Sequence, residues 1–216
     1  MFIGHYAVAL ALKRVEKKAS LGMLFLAVQW ADILYFPLVL LGIERISIVP
    51  NYTKANHFHL EYFPYSHSLA ASVFWAALAY FGFKKYTRSS QVAMVMAMAV
   101  LSHWFLDLVV HLPDLPIWSY SAPLVGLGLW NHPLAAYLLE ATMLIVGVWL
   151  YIGGTRPKTT GGKYGMIIYA LFLSVFNAIN FFSPPPPDSK VLLAVTSTIM
   201  FAVLAVMAFW LDKKRE

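Results

Sequence analysis

Residues 91–112 read QVAMVMAMAVLSHWFLDLVVHL, an apolar stretch that contains three ionisable residues, His103, Asp107 and His111. At a rise of about 1.5 Å per residue, a helix over this stretch can cross a hydrocarbon core of about 30 Å. His103 and Asp107 are four positions apart and therefore lie on one face of that helix. A charged group in hydrocarbon costs a few kcal/mol or more, so the pair predicts a functional site inside a membrane helix.

The composition of the whole chain supports a membrane protein. The 216 residues are 60% hydrophobic and 12% charged, whereas a soluble domain has about 25% charged residues. The chain has no cysteine, which excludes disulfides, thiolate zinc sites and cysteine nucleophiles. The formal charge of +6 comes from short basic clusters that flank apolar runs, as is typical of membrane helices. We therefore expect the lipid bilayer as partner and no nucleic acid.

The apolar stretches predict an all-α fold, a polytopic transmembrane helical bundle that forms a single domain over residues 1–216. We expect about six spans and a short N-terminal half-helix over residues 2–12, which is too short to cross a bilayer. The predicted spans are residues 21–43, 66–83, 91–112, 133–152, 164–182 and 191–211. The ionisable residues place the metal-site portion in residues 1–140 and give the C-terminal helices, 164–212, a structural role.

The distribution of Lys and Arg predicts the orientation of these spans. Most basic residues fall in segments 13–18, 84–88, 156–163 and 213–215, which the span count places on one side. The positive side is cytoplasmic, so the C-terminus is expected there. We expect an integral protein of a prokaryotic inner (cytoplasmic) membrane, with the loops 44–64, 113–130 and 183–190 facing outward.

Depths counted from the basic ends bring several ionisable residues to one level in the outer half of the membrane. Four separate helices supply them, and they are Asp32, His67, His103, Asp107 and Glu140. The half-helix enters from the basic side, so His5 points into the membrane toward the same level. His111 and His132 lie slightly higher, near the outer rim. The sequence thus predicts one cluster of imidazoles and carboxylates.

Nitrogen and oxygen ligands of this kind suit Zn²⁺, with Mn²⁺ or Fe²⁺ as alternatives. A carboxylate four residues from a histidine can bridge two metals held about 3.5–4 Å apart, the spacing of two-metal phosphoesterases. Water bound to such metals becomes hydroxide near neutral pH and acts as a nucleophile.

Four short motifs resemble a known group: Gly4-His5, Trp30-Ala31-Asp32, Pro64-Tyr65-Ser66-His67-Ser68-Leu69 and Ser102-His103-x-x-x-Asp107. They look like the predicted membrane-bound metal-dependent hydrolases, the YdjM-like family. That family is similar in ligand order to the soluble zinc-dependent phospholipase C and single-strand nuclease superfamily, in which the order is His, Asp, His, His-x-x-x-Asp, His and His-x-x-x-Glu. The match runs in order to His111, but His132 and Glu140 are eight residues apart rather than four.

The resemblance implies hydrolysis of a phosphoester, with a lipid-linked phosphate as the expected substrate. We assign metal binding to His5, Asp32, His67, His103 and Asp107, with Asp107 as a bridging ligand. His111, His132 and Glu140 are ligands of a second metal or acid/base groups. The residues expected to take part in catalysis are Glu140, His111 and Asp107.

Two other functions fit the same residues. A transporter of protons or metal ions would use the buried acids and histidines as a relay. It predicts polar residues that continue into the cytoplasmic half, where the sequence offers only Gln29, Gln91 and Thr142. A non-catalytic membrane assembly protein could use His103 and Asp107 as a hydrogen-bonded pair that locks two helices. His57 and His59 lie beside Phe58 in a loop and are expected at the surface.

Overall fold

The computed structural model describes residues 1–216 as a bundle of nine α-helices with two short hairpins. The helices are α1 (Ile3–Val15), α2 (Leu21–Val28), α3 (Trp30–Leu40), α4 (Pro64–His67), α5 (Leu69–Thr87), α6 (Ser90–Val110), α7 (Pro133–Gly154), α8 (Thr160–Phe182) and α9 (Lys190–Asp212). The strands are β1 (Arg45–Ile48), β2 (Phe58–Tyr62), β3 (Leu115–Pro116) and β4 (Leu124–Val125), and a 3₁₀ turn covers Leu129–Asn131. The all-α prediction is confirmed, and the two hairpins lie in the predicted loops 44–64 and 113–130.

Four helices, α6 to α9, are long and apolar enough to span a membrane. A fifth span results if α2 and α3 are counted as one broken segment, bent by 54°. The predicted span at 66–83 corresponds to α5, which has 19 residues. Its tryptophan, two tyrosines and two lysines make it more polar than α6 to α9. The six predicted spans are therefore not confirmed.

Helix α1 lies inside the bundle, as predicted for the half-helix. Nine of its 13 residues are buried, although it is only about 20 Å long. It packs most closely on α7, where Gly147 lets the backbones meet. A Cβ at Gly147 would lie 2.6 Å from the carbonyl oxygen of Ala7. Because α1 lies at the centre of the bundle, His5 in its first turn is brought to the middle of the protein.

The two ends of the bundle differ in chemistry. At the C-terminal end of α1, Lys13 donates from Nζ to Asp212 Oδ2 at 2.7 Å and to the carbonyls of Lys17 and Ala19. Arg215 is buried nearby and donates to Thr155 and to the carbonyl of Gly162. The basic segments therefore meet at this end, and the N-terminal end of α1 points toward the predicted cluster.

Two interruptions of regular helix shape the region around the cluster. Gln29 separates α2 from α3, and Ser68 separates α4 from α5 with an extended backbone (ψ 154°). The Ser68 hydroxyl then accepts the N–H of Ala71 and caps α5. Carbonyl groups at the end of a helix lack intrahelical partners. The break at Gln29 leaves the Val28 carbonyl in that position, facing α6.

Candidate metal centre

Asp107 lies at the centre of the cluster, with each carboxylate oxygen close to imidazole nitrogens. Its Oδ1 lies 3.2 Å from His5 Nε2, and its Oδ2 lies 3.1 Å from His103 Nε2. The amino group of Met1 is 2.5 Å from Oδ1, and all of these groups are buried. The rings of His5 and His103 stack in parallel, with centroids 4.0 Å apart and planes 3° apart. His5, His103 and Asp107 together could hold a metal ion.

A second group of donors shares His103. Asp32 Oδ1 lies 3.3 Å from His67 Nε2, and its Oδ2 lies 4.0 Å from His103 Nε2. One donor atom from each of Asp32, His67 and His103 falls within 4.8 Å of the others, so this group could also hold a metal ion. His103 Nε2 has a single lone pair and can serve only one of the two groups at a time.

The break between α2 and α3 fixes the tautomer of His103. Its Nδ1 lies 2.7 Å from the Val28 carbonyl oxygen, which can only accept, so Nδ1 carries a proton. In a neutral ring Nε2 is then bare. Although Nε2 lies near both Asp107 and Asp32, it is hydrogen-bonded to neither. His103 thus presents an unpaired nitrogen between two carboxylates.

His67 is oriented by a relay through Ser66 to Glu44. The Ser66 hydroxyl lies 2.6 Å from Glu44 Oε2 and 2.7 Å from His67 Nδ1. Glu44 Oε1 accepts the backbone N–H groups of Tyr65 and Ser66, so this carboxylate acts as the acceptor. Ser66 has one proton, which it donates to Glu44, and its oxygen must accept from Nδ1 of His67. Nε2 of His67 faces Asp32 and is hydrogen-bonded to its Oδ1 at 3.3 Å, so the proton on Nε2 must leave if a metal binds there. Burial raises the pKa of Glu44, and its hydrogen bond to Ser66 opposes that shift.

His111 follows the same rule at the end of α6. Its Nδ1 donates to Asp114 Oδ1 at 2.9 Å, and its Nε2 lies 3.6 Å from Asp107 Oδ2. The ring is buried and packs against Trp130, with centroids 4.6 Å apart. Asp114 therefore positions this imidazole.

The three oriented histidines share one arrangement. In each, Nδ1 is hydrogen-bonded to a group outside the cluster, and Nε2 is directed toward the carboxylates of Asp32 and Asp107. Metal-binding histidines are held in this way, with the second ring nitrogen bonded to a carbonyl or an acid. A bare nitrogen against a carboxylate is repulsive unless a cation or a proton lies between them. The donor set, imidazole and carboxylate in a buried site, fits a divalent cation such as Zn²⁺.

Glu140 contacts the N-terminal end of α1. Its Oε2 accepts the backbone N–H of Phe2 at 2.9 Å and of Gly4 at 3.1 Å. These N–H groups belong to the helix terminus, where a carboxylate also benefits from the helix dipole. Oε1 of Glu140 is buried and has no hydrogen-bond partner. Glu140 thus anchors α1 through one oxygen and leaves the other unpaired.

The structure does not bring His132 into the cluster. Its side chain is exposed at the start of α7 and forms no ion pair or hydrogen bond with the other predicted residues. The 3₁₀ turn directly before it directs Trp130, rather than His132, against His111. The expected role of His132 as a metal ligand therefore has no structural counterpart.

A cavity of about 650 Å³ opens beside the cluster. One end of the cavity is lined by residues of the cluster, namely Asp32, His67, Asp107, His111 and Glu140. The rest of its wall comes mainly from α3, the β1–β2 hairpin, α8 and α9. Helices α8 and α9, for which the sequence predicted only a structural role, therefore contribute to the site. His57, expected at the surface, also reaches this wall and lies 3.2 Å from the Ser183 carbonyl through Nε2.

Sequence reasoning missed Glu44, Ser66 and Asp114 as positioning residues. Ser66 lay within a quoted motif, but its partner Glu44 is 22 residues away. Only the fold shows that the two side chains meet. Asp114 offered a local signal, since it follows His111 by three residues and both are polar at the end of an apolar helix.

No known family model, curated protein or solved structure matches this chain.

Proposed function

We propose that this protein is a membrane-embedded, metal-dependent hydrolase of a phosphoester whose apolar portion lies in the bilayer. The observation that carries the proposal is the shared orientation of His67, His103 and His111. Their Nδ1 atoms are all hydrogen-bonded to groups outside the cluster, and their Nε2 atoms face the carboxylates of Asp32 and Asp107 at 3.1–3.6 Å. Zn²⁺ suits this donor set, and Mn²⁺ or Fe²⁺ are alternatives.

The residues that would hold the metal are His5, His103 and Asp107, or Asp32, His67 and His103. A bound divalent cation supplies a water of lowered pKa and a Lewis acid for a phosphoryl oxygen. Glu140 can accept a proton at Oε1, because that oxygen is unpaired and Glu140 lines the cavity. Asp107 and Glu140 are buried, Asp32 is partly exposed, and the cavity beside them can admit the apolar part of a substrate.

The placement in the membrane forms part of the proposal. Six spans result if α5 and the bent α2–α3 segment both cross together with α6 to α9. The basic end around Lys13, Lys158 and Arg215 then faces the cytoplasm, with the C-terminus. This orientation puts the cluster in the outer half of an inner membrane. A lipid headgroup could enter from the outer leaflet, near the β1–β2 hairpin.

The test compares metal content and turnover in three variants. His103→Ala removes a donor common to both groups and is expected to lower bound metal per protein together with phosphodiesterase turnover. Glu140→Gln keeps the shape but loses basicity, so metal stays near the wild-type level while hydrolysis falls by about 10²–10⁴-fold. His59→Ala is the control, since this histidine stacks on Tyr52 in the hairpin outside the cavity.

Three outcomes separate the candidate functions. Elemental analysis without a bound divalent metal in wild type refutes the metal centre. Bound metal without turnover of any phosphoester, together with ion flux in proteoliposomes that His103→Ala abolishes, supports the transporter. Neither turnover nor flux supports a non-catalytic assembly protein, in which the cluster only joins helices.

A further inference from the structure

The cavity has a second polar element on α8, remote in sequence from the metal-binding residues. Asn177 is fully buried, lines the cavity, and neither its amide oxygen nor its amide nitrogen has a hydrogen-bond partner. An unpaired buried polar group costs about 1–3 kcal/mol. The rest of α8 from Met166 to Phe182 is apolar except for Ser174 and Asn180, and Asn180 also lines the cavity.

The register of α7 and α8 sets the distance of Asn177 from the carboxylates. Tyr137 of α7 and Ser174 of α8 are hydrogen-bonded at 3.0 Å. The two helices are antiparallel, and Glu140 and Asn177 lie three residues beyond this pair in opposite directions. At 1.5 Å per residue, Asn177 is roughly 9 Å nearer the α8–α9 turn than Glu140. Asn177 therefore faces a part of the cavity above the cluster.

The charges of the cavity wall limit what can lie there. Its ionisable acids are Asp32, Asp107 and Glu140, and no Lys or Arg lines it. Phosphomonoester dianions and diphosphates are usually bound by Arg or Lys. With none present, a substrate that carries a single negative charge is favoured, because the cavity wall offers no permanently charged cationic side chain to offset a second one.

We infer that Asn177 binds an uncharged, hydroxyl-bearing head portion of a monoanionic lipid phosphodiester and so determines substrate specificity. The position assigned to the phosphoester rests on the proposed function, whereas the position assigned to the head rests on Asn177 alone. An amide offers two donors and an acceptor, which match a hydroxyl group in either direction. The aromatic and aliphatic wall, which includes Phe36, Phe181 and Met200, takes the acyl chains.

The experiment compares two phosphodiester lipids that differ only in the head. Phosphatidylglycerol carries hydroxyl groups, and phosphatidylmethanol carries the same single charge without them. In mixed micelles, the wild type is expected to show a KM for phosphatidylglycerol about fivefold to tenfold below that for phosphatidylmethanol. Asn177→Leu and Asn177→Ala should remove this preference by raising the KM for phosphatidylglycerol toward that for phosphatidylmethanol, and bound metal per protein should stay at the wild-type value.

Ser174→Ala is the matched control, because it removes a polar contact of α8 that does not line the cavity. It should keep the wild-type preference. If both Asn177 variants also keep the lower KM for phosphatidylglycerol, Asn177 does not contact the head and the inference is wrong. Asn177→Leu buries no unpaired amide, so its melting temperature without lipid should equal or exceed that of the wild type.

A binding readout separates this inference from the hydrolase proposal. If wild type hydrolyses neither lipid, the shift of melting temperature on adding phosphatidylglycerol micelles replaces KM. A larger shift with phosphatidylglycerol than with phosphatidylmethanol, lost in both Asn177 variants, supports the head-binding role and refutes only hydrolysis. Equal shifts for the two lipids in wild type refute the head-binding role.

Discussion

The relay from Glu44 through Ser66 to His67 makes a prediction about metal affinity. Ser66→Ala removes the acceptor of His67 Nδ1, which lies 2.7 Å away in a site where both residues are buried. Without that partner the His67 ring can rotate. Binding a metal at Nε2 then has to restrict this rotation, which weakens the binding. Leaving a buried N–H unpaired costs about 1–3 kcal/mol. Loss of such a contact to a metal-binding histidine typically weakens binding by 10–100-fold, which corresponds to about 1.4–2.8 kcal/mol.

The assay is a Zn²⁺ titration of the apoprotein in detergent against a competing chelator. The control is Ser68→Ala, two residues further along the chain. Ser68 is also buried, but its hydroxyl caps α5 through Ala71 and does not touch His67. This control should lose about 1 kcal/mol of stability with unchanged Zn²⁺ affinity. The reasoning is refuted if Ser66→Ala binds Zn²⁺ like wild type, or if Ser68→Ala loses the same factor.

Three further outcomes follow from contacts described above. Gly147→Ala should lower the free energy of unfolding by about 1–3 kcal/mol, because the new methyl group meets the Ala7 backbone; Gly82→Ala, with open space around its Cβ, should not. The melting temperature in detergent checks both. His132→Ala should leave bound metal per protein unchanged, since the side chain is exposed. A clear drop in bound metal would show that His132 is a ligand after all. Burial raises the pKa of Glu44 above its ordinary 4.5, so the folded state keeps a proton that the unfolded chain has lost. Stability of the apoprotein should therefore fall as pH rises through this range, and Glu44→Gln should lose that part of the dependence, measured by chemical unfolding at several pH values.

Depth along helices was enough to predict that Asp32, His67, His103 and Asp107 meet. Each residue lies in an apolar segment with a basic end, so counting residues fixes its level. The same counting brought His5 to the cluster, because a helix of known direction has only one buried end. This part of the site follows from helix geometry alone.

The parts that could not be predicted depend on contacts between distant segments. Residues 21–43 are long enough for one span, and their sequence gave no sign of the helix break at Gln29, which supplies the Val28 carbonyl to His103. Glu140 was placed at the right depth, but its bonds to Phe2 and Gly4 depend on how α1 meets α7. Asn177 was not considered, because a single amide in an apolar helix has meaning only once the cavity beside it is known.

The contact between Glu140 and the first turn of α1 has a consequence for biosynthesis. Phe2 and Glu140 are 138 positions apart, so at about 5–20 residues per second the ribosome adds the second partner roughly 7–28 s after the first. During this interval α1 has neither its carboxylate anchor nor the groove at Gly147 in which it packs. Helix α1 therefore lacks its closest packing partner until α7 has been made, and its first turn is anchored only after that.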